Sequence, residues 1–241
     1  MASIANDPKN IDAMASNPKT TALVSDYFEN ARRFLYAYNF SWLGIPIIQH
    51  PADLIAFQEL VWTVKPRLII ETGVAHGGSM VFYASLLKMM DIPGRVIGID
   101  VDIRPPNRKR LDQHPLRPLI DLVEGSSVDP SVVEKIHHMA KGQSPVLVAL
   151  DSHHTHDHVL KELRAYSDLV TKGSYLVVQD TRIEDVDASL IKDRPWGKGN
   201  NPKTAVWEFL KSTDRFEIDR EIEKRILFTG APDGYLKRVK D

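Results

Sequence analysis

The sequence predicts an α/β fold built on a doubly wound, mostly parallel sheet, with an antiparallel C-terminal edge and an N-terminal helical cover. Three observations carry this expectation. From residue 67 onward apolar β-type runs alternate with amphipathic segments, the pattern of repeated strand-helix units. The first run ends in a glycine-rich turn that leads into a helix, Glu71-Thr-Gly73-Val-Ala-His-Gly77-Gly-Ser79. Every run also finishes at or beside a polar residue, and a parallel sheet gathers such ends onto one edge, where ligands bind.

Taken in order, residues 1 to about 20 are polar and read as prone to disorder. Residues 21–37 carry Leu23, Tyr27, Ala31, Phe34 and Leu35 at helical spacing, which predicts an amphipathic helix. A loop with Trp42, Gly44 and Pro46 precedes a second helix over 52–64, closed by Pro66. Strands are expected at 68–71, 96–100, 120–123, 146–151 and 175–180, with helices at 80–89, 130–140 and 158–169 between them. Asp129 before Pro130 is an N-cap followed by a first helical residue. The stretch 181–203 is polar and holds Trp196, Gly197, Gly199 and Pro202, which suits a mobile lid. A helix at 204–211 follows, then short strands at 216–218 and 226–229 and a last one at 234–239, forming an antiparallel edge. The expected organisation is one compact unit, with a tail and helical cover over 1–66 and a catalytic domain over 67–241.

Composition narrows the function. A chain of 241 residues that is 43% hydrophobic can bury one sizeable core. Its net charge of −1 and lack of a long basic run leave no evident surface for nucleic acid. The absence of cysteine excludes disulfides, thiolate metal sites and a thiol nucleophile. The first residues lack the layout of a signal peptide and no apolar run is long enough to span a bilayer, so the expectation is a cytoplasmic protein that works on small molecules.

The glycine turn points to a cofactor. Gly73 and Gly77 allow the backbone to approach a ligand, and Ser79 opens a helix whose free N–H groups face the same crevice. The dinucleotide fingerprint is G-x-G-x-x-G, whereas this turn reads E-x-G-x-x-x-G-G-S. A carboxylate at Glu71 would repel a pyrophosphate but suits the cationic amino acid end of S-adenosylmethionine, which is favoured over NAD. Asp100 can accept hydrogen bonds from both ribose hydroxyls, with Asp102 as its competitor. Ser126 and Ser127 fall where adenine would lie, although Ser127 serves equally as part of the turn before Asp129.

Asp151 and Asp180 end neighbouring strands with Gln179 beside them. Such oxygen donors suit Mg²⁺, and they are also ordinary strand-end acids. The run His153-His-Thr-His-Asp-His158 invites a zinc reading, but histidines at a helix start more often cap it or face solvent, which is favoured for His156 and His158. His154 lies three residues beyond Asp151 and can lean over the cleft to take a proton from a hydroxyl.

Together these residues resemble the cephalosporin hydroxylase family of metal-dependent, S-adenosylmethionine-binding proteins, which includes sugar O-methyltransferases. The resemblance runs from about residue 42 to residue 239. It rests on Trp42-Leu-Gly-Ile-Pro46, the glycine turn, Gly98-Ile-Asp100, Gly125-Ser126, Leu150-Asp-Ser152 with His154, Gly173-Ser-Tyr-Leu-Val-Val178 and Gly234-Tyr-Leu-Lys-Arg238. It implies a Rossmann-like methyltransferase fold, Mg²⁺ held by Asp151, Gln179 and Asp180, and His154 as the base. The family usually has Glu at position 179 and commonly Asp at 153, so the resemblance implies a cation site weaker than its norm. The expected activity is Mg²⁺-assisted O-methylation of a sugar, saccharide or natural product. The alternatives are other chemistry of the hydroxylase kind and a non-catalytic S-adenosylmethionine-binding protein. The apolar faces of the N-terminal helices are candidates for a homo-oligomer contact.

Overall fold

The computed structural model describes residues 6–241. Two helices open it, α1 (Pro8–Ala15) and α2 (Pro18–Arg33), followed by a small antiparallel pair, β1 (Phe40–Trp42) and β2 (Ile45–Ile47), and by α3 (Pro51–Val64). The main domain then alternates β3 (Leu68–Thr72), α4 (Gly78–Met89), β4 (Arg95–Asp100), α5 (Pro105–Asp112), β5 (Ile120–Glu124), α6 (Pro130–Ala140), β6 (Val146–Leu150), α7 (His156–Tyr166) and β7 (Tyr175–Val178). It closes with α8 (Pro202–Lys211), β8 (Phe216–Ile218), α9 (Arg220–Ile226) and β9 (Tyr235–Arg238).

The large sheet has seven strands in the order β5-β4-β3-β6-β7-β9-β8. The first five are parallel, and β9 runs antiparallel to both β7 and β8. Strand order reverses at β3, whose two neighbours are β4 and β6, so the crevice above β3 is the topological switch point.

Alternation along the strands divides the core between the two faces of the sheet. Ile69 packs with Phe57, Met80 and Val81 beneath α3 and α4, while Leu68 and Ile70 pack with Ile136, Leu163 and Phe209 beneath α6, α7 and α8. Strands covered on both faces carry continuous apolar runs, as β6 does with Val-Leu-Val-Ala-Leu. Each fully buried branched side chain of this kind contributes about 2 kcal/mol.

Three expectations need correction. Residues 8–15 and 18–20 are helical rather than disordered, because Asp7 and Asn17 cap helices that each begin with proline. The Asp7 carboxylate accepts from Lys9 N at 3.0 Å, and the Asn17 side chain accepts from Lys19 N and Thr20 N at 3.0 and 3.1 Å. Residues 1–5 of that polar tail lie outside the described residues. Residues 226–229 form no strand. Asp219 caps α9 through Ile226, Phe228 packs its ring against Tyr27 and Phe28, and the Thr229 hydroxyl bonds to Asp53. The helix expected over 21–37 ends at Arg33, and Leu35 adopts a left-handed conformation at φ 54°.

The N-terminal cover is clamped to the end of the chain by Asp53, which is 3% exposed. Its carboxylate accepts from the Thr229 hydroxyl at 2.5 Å, the Gly230 N–H at 2.8 Å and the Tyr235 hydroxyl at 2.9 Å. Burial pushes the Asp53 pKa up, and these donors pull against it. Asp53→Ala strands three buried donors, so it is expected to cost about 3 kcal/mol or more in urea unfolding, with Asp53→Asn intermediate because its amide oxygen still accepts.

Candidate active site

The backbone ladder runs one residue past the parallel strands and sets the site. Gly73 N donates to Ile99 O at 2.7 Å, Asp151 N to Thr72 O at 2.9 Å and Gln179 N to Leu150 O at 2.9 Å. These bonds bring the glycine turn, Asp151 and Gln179 side by side on one edge. The approach is close enough that a Cβ on Gly73 would fall 2.0 Å from the Asp151 carbonyl oxygen. A cavity of about 380 Å³ opens above this edge, roofed by α2 and by the segment 181–203.

Asp151, His154 and Asp180 meet on the cavity wall, each offering a ligand atom within 4.8 Å of the others. His154 Nε2 lies 3.0 Å from Asp180 Oδ2. Asp180 reaches this position from a left-handed backbone conformation, φ 57°, a region that Asp enters more readily than most non-glycine residues. Burial, then the neighbouring Asp180 charge, pushes the Asp151 carboxyl well above the usual carboxylate range. Gln179 is 5% exposed and lines the same wall. Two carboxylates and an imidazole clustered around one point, with Gln179 on the same wall, fit a divalent cation. The Trp196 ring stands edge-on to His154 with centroids 4.8 Å apart.

The other histidines of the run 153–158 are engaged elsewhere. His156 bonds to Thr204 and Glu208 at 2.8 and 3.1 Å, His158 to Ser127 at 3.1 Å, and exposed His153 to Thr155 at 3.0 Å.

Around the glycine turn, Gly73 and Gly77 have φ of +92° and +89°, and Ser79 faces the cavity from the first turn of α4. Glu71 lies behind Ser79, fully buried. Its two oxygens take the Ser79 hydroxyl at 2.5 Å and the Tyr83 hydroxyl at 2.8 Å. The carboxyl expected to meet a cofactor amine is therefore hydrogen-bonded to the chain's own hydroxyls, behind the cavity wall. Asp100 folds back on the turn, accepting from Val74 N and Ala75 N at 2.8 and 3.1 Å. Ser127 is 4% exposed and donates to Glu162 at 2.5 Å, with half-buried Ser126 beside it. Asp100, Ser126 and Ser127 thus sit beyond the cavity, whose wall is formed by Gly73, Ser79 and the acidic cluster.

The segment 181–203 is anchored at its base. Glu184 accepts from Gly199 N at 2.8 Å and from the Asn201 amide at 2.5 Å, and Lys203 pairs with Asp185 at 2.8 Å. Its middle supplies Leu190, Arg194 and Trp196 to the cavity.

Sequence reasoning missed the contribution of residues before the main domain. Gln49 donates its side-chain N–H to Asp151 Oδ2 at 3.1 Å. His50 also lines the cavity, its ring among Phe28, Tyr36 and Phe228, and burial pushes its pKa down. Arg32 reaches the cavity from α2. The only local signal was a polar pair immediately before the proline that starts α3.

The family described as Rhamnosyl O-methyltransferase/CmcI matches residues 34–239. A rhamnosyl O-methyltransferase of Mycobacterium bovis is 31% identical over 202 residues, covering 82% of this chain and 78% of that protein. Among solved structures, an apo form of CmcI superposes with a TM-score of 0.60 at 22% identity over 85% of this chain and 78% of CmcI. A CmcI structure with Mg and SAM gives a TM-score of 0.56 at 23% identity over 84% and 78%. At that identity these structures establish a shared fold.

Glu71 makes stability depend on pH. Burial pushes its carboxyl up to about 8 against the pull of the two hydroxyls, whereas unfolded it titrates near its ordinary 4.5. Between those values the folded chain holds the proton that the unfolded chain has lost, so this group's contribution to stability falls as pH rises from about 4.5 to 8 and then levels off. The expected fall is on the order of 5 kcal/mol. Urea unfolding across that range should show the slope in the parent and a flatter profile in Glu71→Gln.

Proposed function

The chain belongs to the Rhamnosyl O-methyltransferase/CmcI family and is an O-methyltransferase, and from that premise we propose that it moves a methyl group from S-adenosylmethionine to a hydroxyl of a rhamnosyl unit. The observation that carries this reading is the meeting of Asp151, His154 and Asp180 on the wall that also holds Gly73 and Ser79. Acid-base groups and the glycine turn of the predicted cofactor cradle share one cavity.

In this reading Asp151, Gln179 and Asp180 hold the cation, with the lost charge at position 179 making it weaker than a three-carboxylate site. Mg²⁺ bound there supplies polarisation of neighbouring acceptor hydroxyls, which eases their deprotonation. His154 takes the proton from the acceptor hydroxyl. Its contact with Asp180, 3.0 Å from Nε2, orients the ring. The hydroxyl oxygen forms its new bond to the methyl carbon as the carbon–sulfur bond of the sulfonium breaks, leaving S-adenosylhomocysteine. Ser79 and the free N–H groups at the start of α4 bind the amino acid end, with Asp100 turning to the ribose and Ser126 and Ser127 bordering the adenine. Trp196 and the residues of α2 close the cavity over the reacting groups and exclude water.

No helix among the described residues is long and apolar enough to cross a membrane. We further propose that the cover and main domain act as one unit, and that exposed Leu23, Tyr27 and Phe34 of the N-terminal region contact a second copy, which light scattering at the mass of a monomer would refute.

The decisive experiment is calorimetric titration of S-adenosylmethionine with NAD as control, followed by incubation with p-nitrophenyl rhamnoside and Mg²⁺. The expected result is micromolar S-adenosylmethionine binding and one added methyl group by mass spectrometry; methylation of other glycosides alone would overturn the rhamnosyl assignment. His154→Ala is expected to lower turnover by about 100-fold or more while S-adenosylmethionine affinity stays within about threefold, and unchanged turnover would remove His154 as the base.

A further inference from the structure

We infer that Gln49 is the positioning residue for Asp151, so that the cation site is completed by the N-terminal cover and not by the parallel sheet alone. The inference rests on the cation reading above and adds to it a residue outside the strand ends.

Gln49 stands between β2 and α3, is 9% exposed, and donates from Nε2 to Asp151 Oδ2 at 3.1 Å across 102 positions of sequence. It is held from both sides. Upstream, β2 lies directly on the first turn of α4, where a Cβ on Gly78 would come within 2.3 Å of Pro46 O and 2.6 Å of Ile47 Cβ. Downstream, Asp53 in the first turn of α3 is fixed to Thr229, Gly230 and Tyr235. The amide between these two anchors therefore has a fixed position relative to the end of β6.

The chemistry of an amide suits this place. An N–H donated to one carboxylate oxygen sets the plane of the carboxylate and occupies one lone pair, leaving the others for a cation. Lysine or arginine at the same position would orient Asp151 equally well but would neutralise it and compete with the cation. Gln49 orients without competing, which matters more where Gln179 has already reduced the negative charge of the donor set. Docking of the N-terminal cover and cation affinity are thereby coupled through a single hydrogen bond.

The test is Mn²⁺ binding to the full chain by electron paramagnetic resonance, without S-adenosylmethionine or acceptor. It compares the parent with Gln49→Leu and Gln49→Met, two side chains of similar size that cannot donate. The expected result is a 10- to 100-fold weaker Mn²⁺ affinity, with S-adenosylmethionine affinity within about threefold of the parent by calorimetry. Mn²⁺ affinity within twofold of the parent in either folded variant would overturn the inference and leave the cation reading standing. Equal losses in Mn²⁺ affinity, S-adenosylmethionine affinity and thermal midpoint would also overturn it, reducing Gln49 to a packing residue. A parent that binds no Mn²⁺ would overturn the cation reading and this inference together.

Discussion

The site depends on how closely the turn after β3 approaches the end of β6. Gly73 touches the Asp151 backbone at a distance that no side chain would permit, and the ladder bonds from Gly73 to Ile99 and from Asp151 to Thr72 hold both segments in line. Because β3 is also the strand at which the sheet reverses order, the cofactor cradle and the acidic cluster are parts of one crevice. A glycine is needed here for two separate reasons, its φ of +92° and the absence of space for a Cβ.

Much of this was legible in the chain. The five parallel strands, the helix after the glycine turn and the helix capped by Asp129 stand out because long apolar runs and capping pairs act locally. Asp151, His154, Gln179 and Asp180 fall together because the ends of parallel strands share an edge. Other features depend on contacts distant in sequence. Residues 226–229 look like a strand by composition, but Thr229 belongs to Asp53 and Phe228 to an aromatic cluster with α2. The Asp7-Pro8 and Asn17-Pro18 pairs were readable cap signals, and the polar composition around them outweighed them in the reading. Gln49 carried no signal beyond its place in a polar pair before Pro51, since a lone glutamine shows its purpose only when β2 and α3 bring it to Asp151.

Three buried carboxylates show how one residue type takes different roles. Asp53 has three donors and ties distant segments together. Glu71 has two hydroxyls and is pushed up to about 8, so near neutral pH it is mostly an uncharged partner of Ser79 and Tyr83. Glu162 is fully buried and takes the hydroxyls of Ser127 and Ser152 on one oxygen, joining the loop after β5 to the loop after β6. Asp180 of the site differs from these in facing open space, with its side chain 44% exposed.

The Asp53 clamp bears on the order in which the molecule is made. Its partners lie at positions 229, 230 and 235, while Asp53 itself belongs to the first quarter of the chain. During synthesis from the N-terminus, α3 leaves the ribosome long before the residues that satisfy its buried carboxylate. Until β9 has emerged and slotted in between β7 and β8, the cover that carries Gln49 rests on the sheet and α4 through Phe57 and β2 but lacks the donors that lock it there through Asp53. The nascent chain can therefore assemble most of its parallel sheet early, yet the reaction centre is finished only after its last strand is translated.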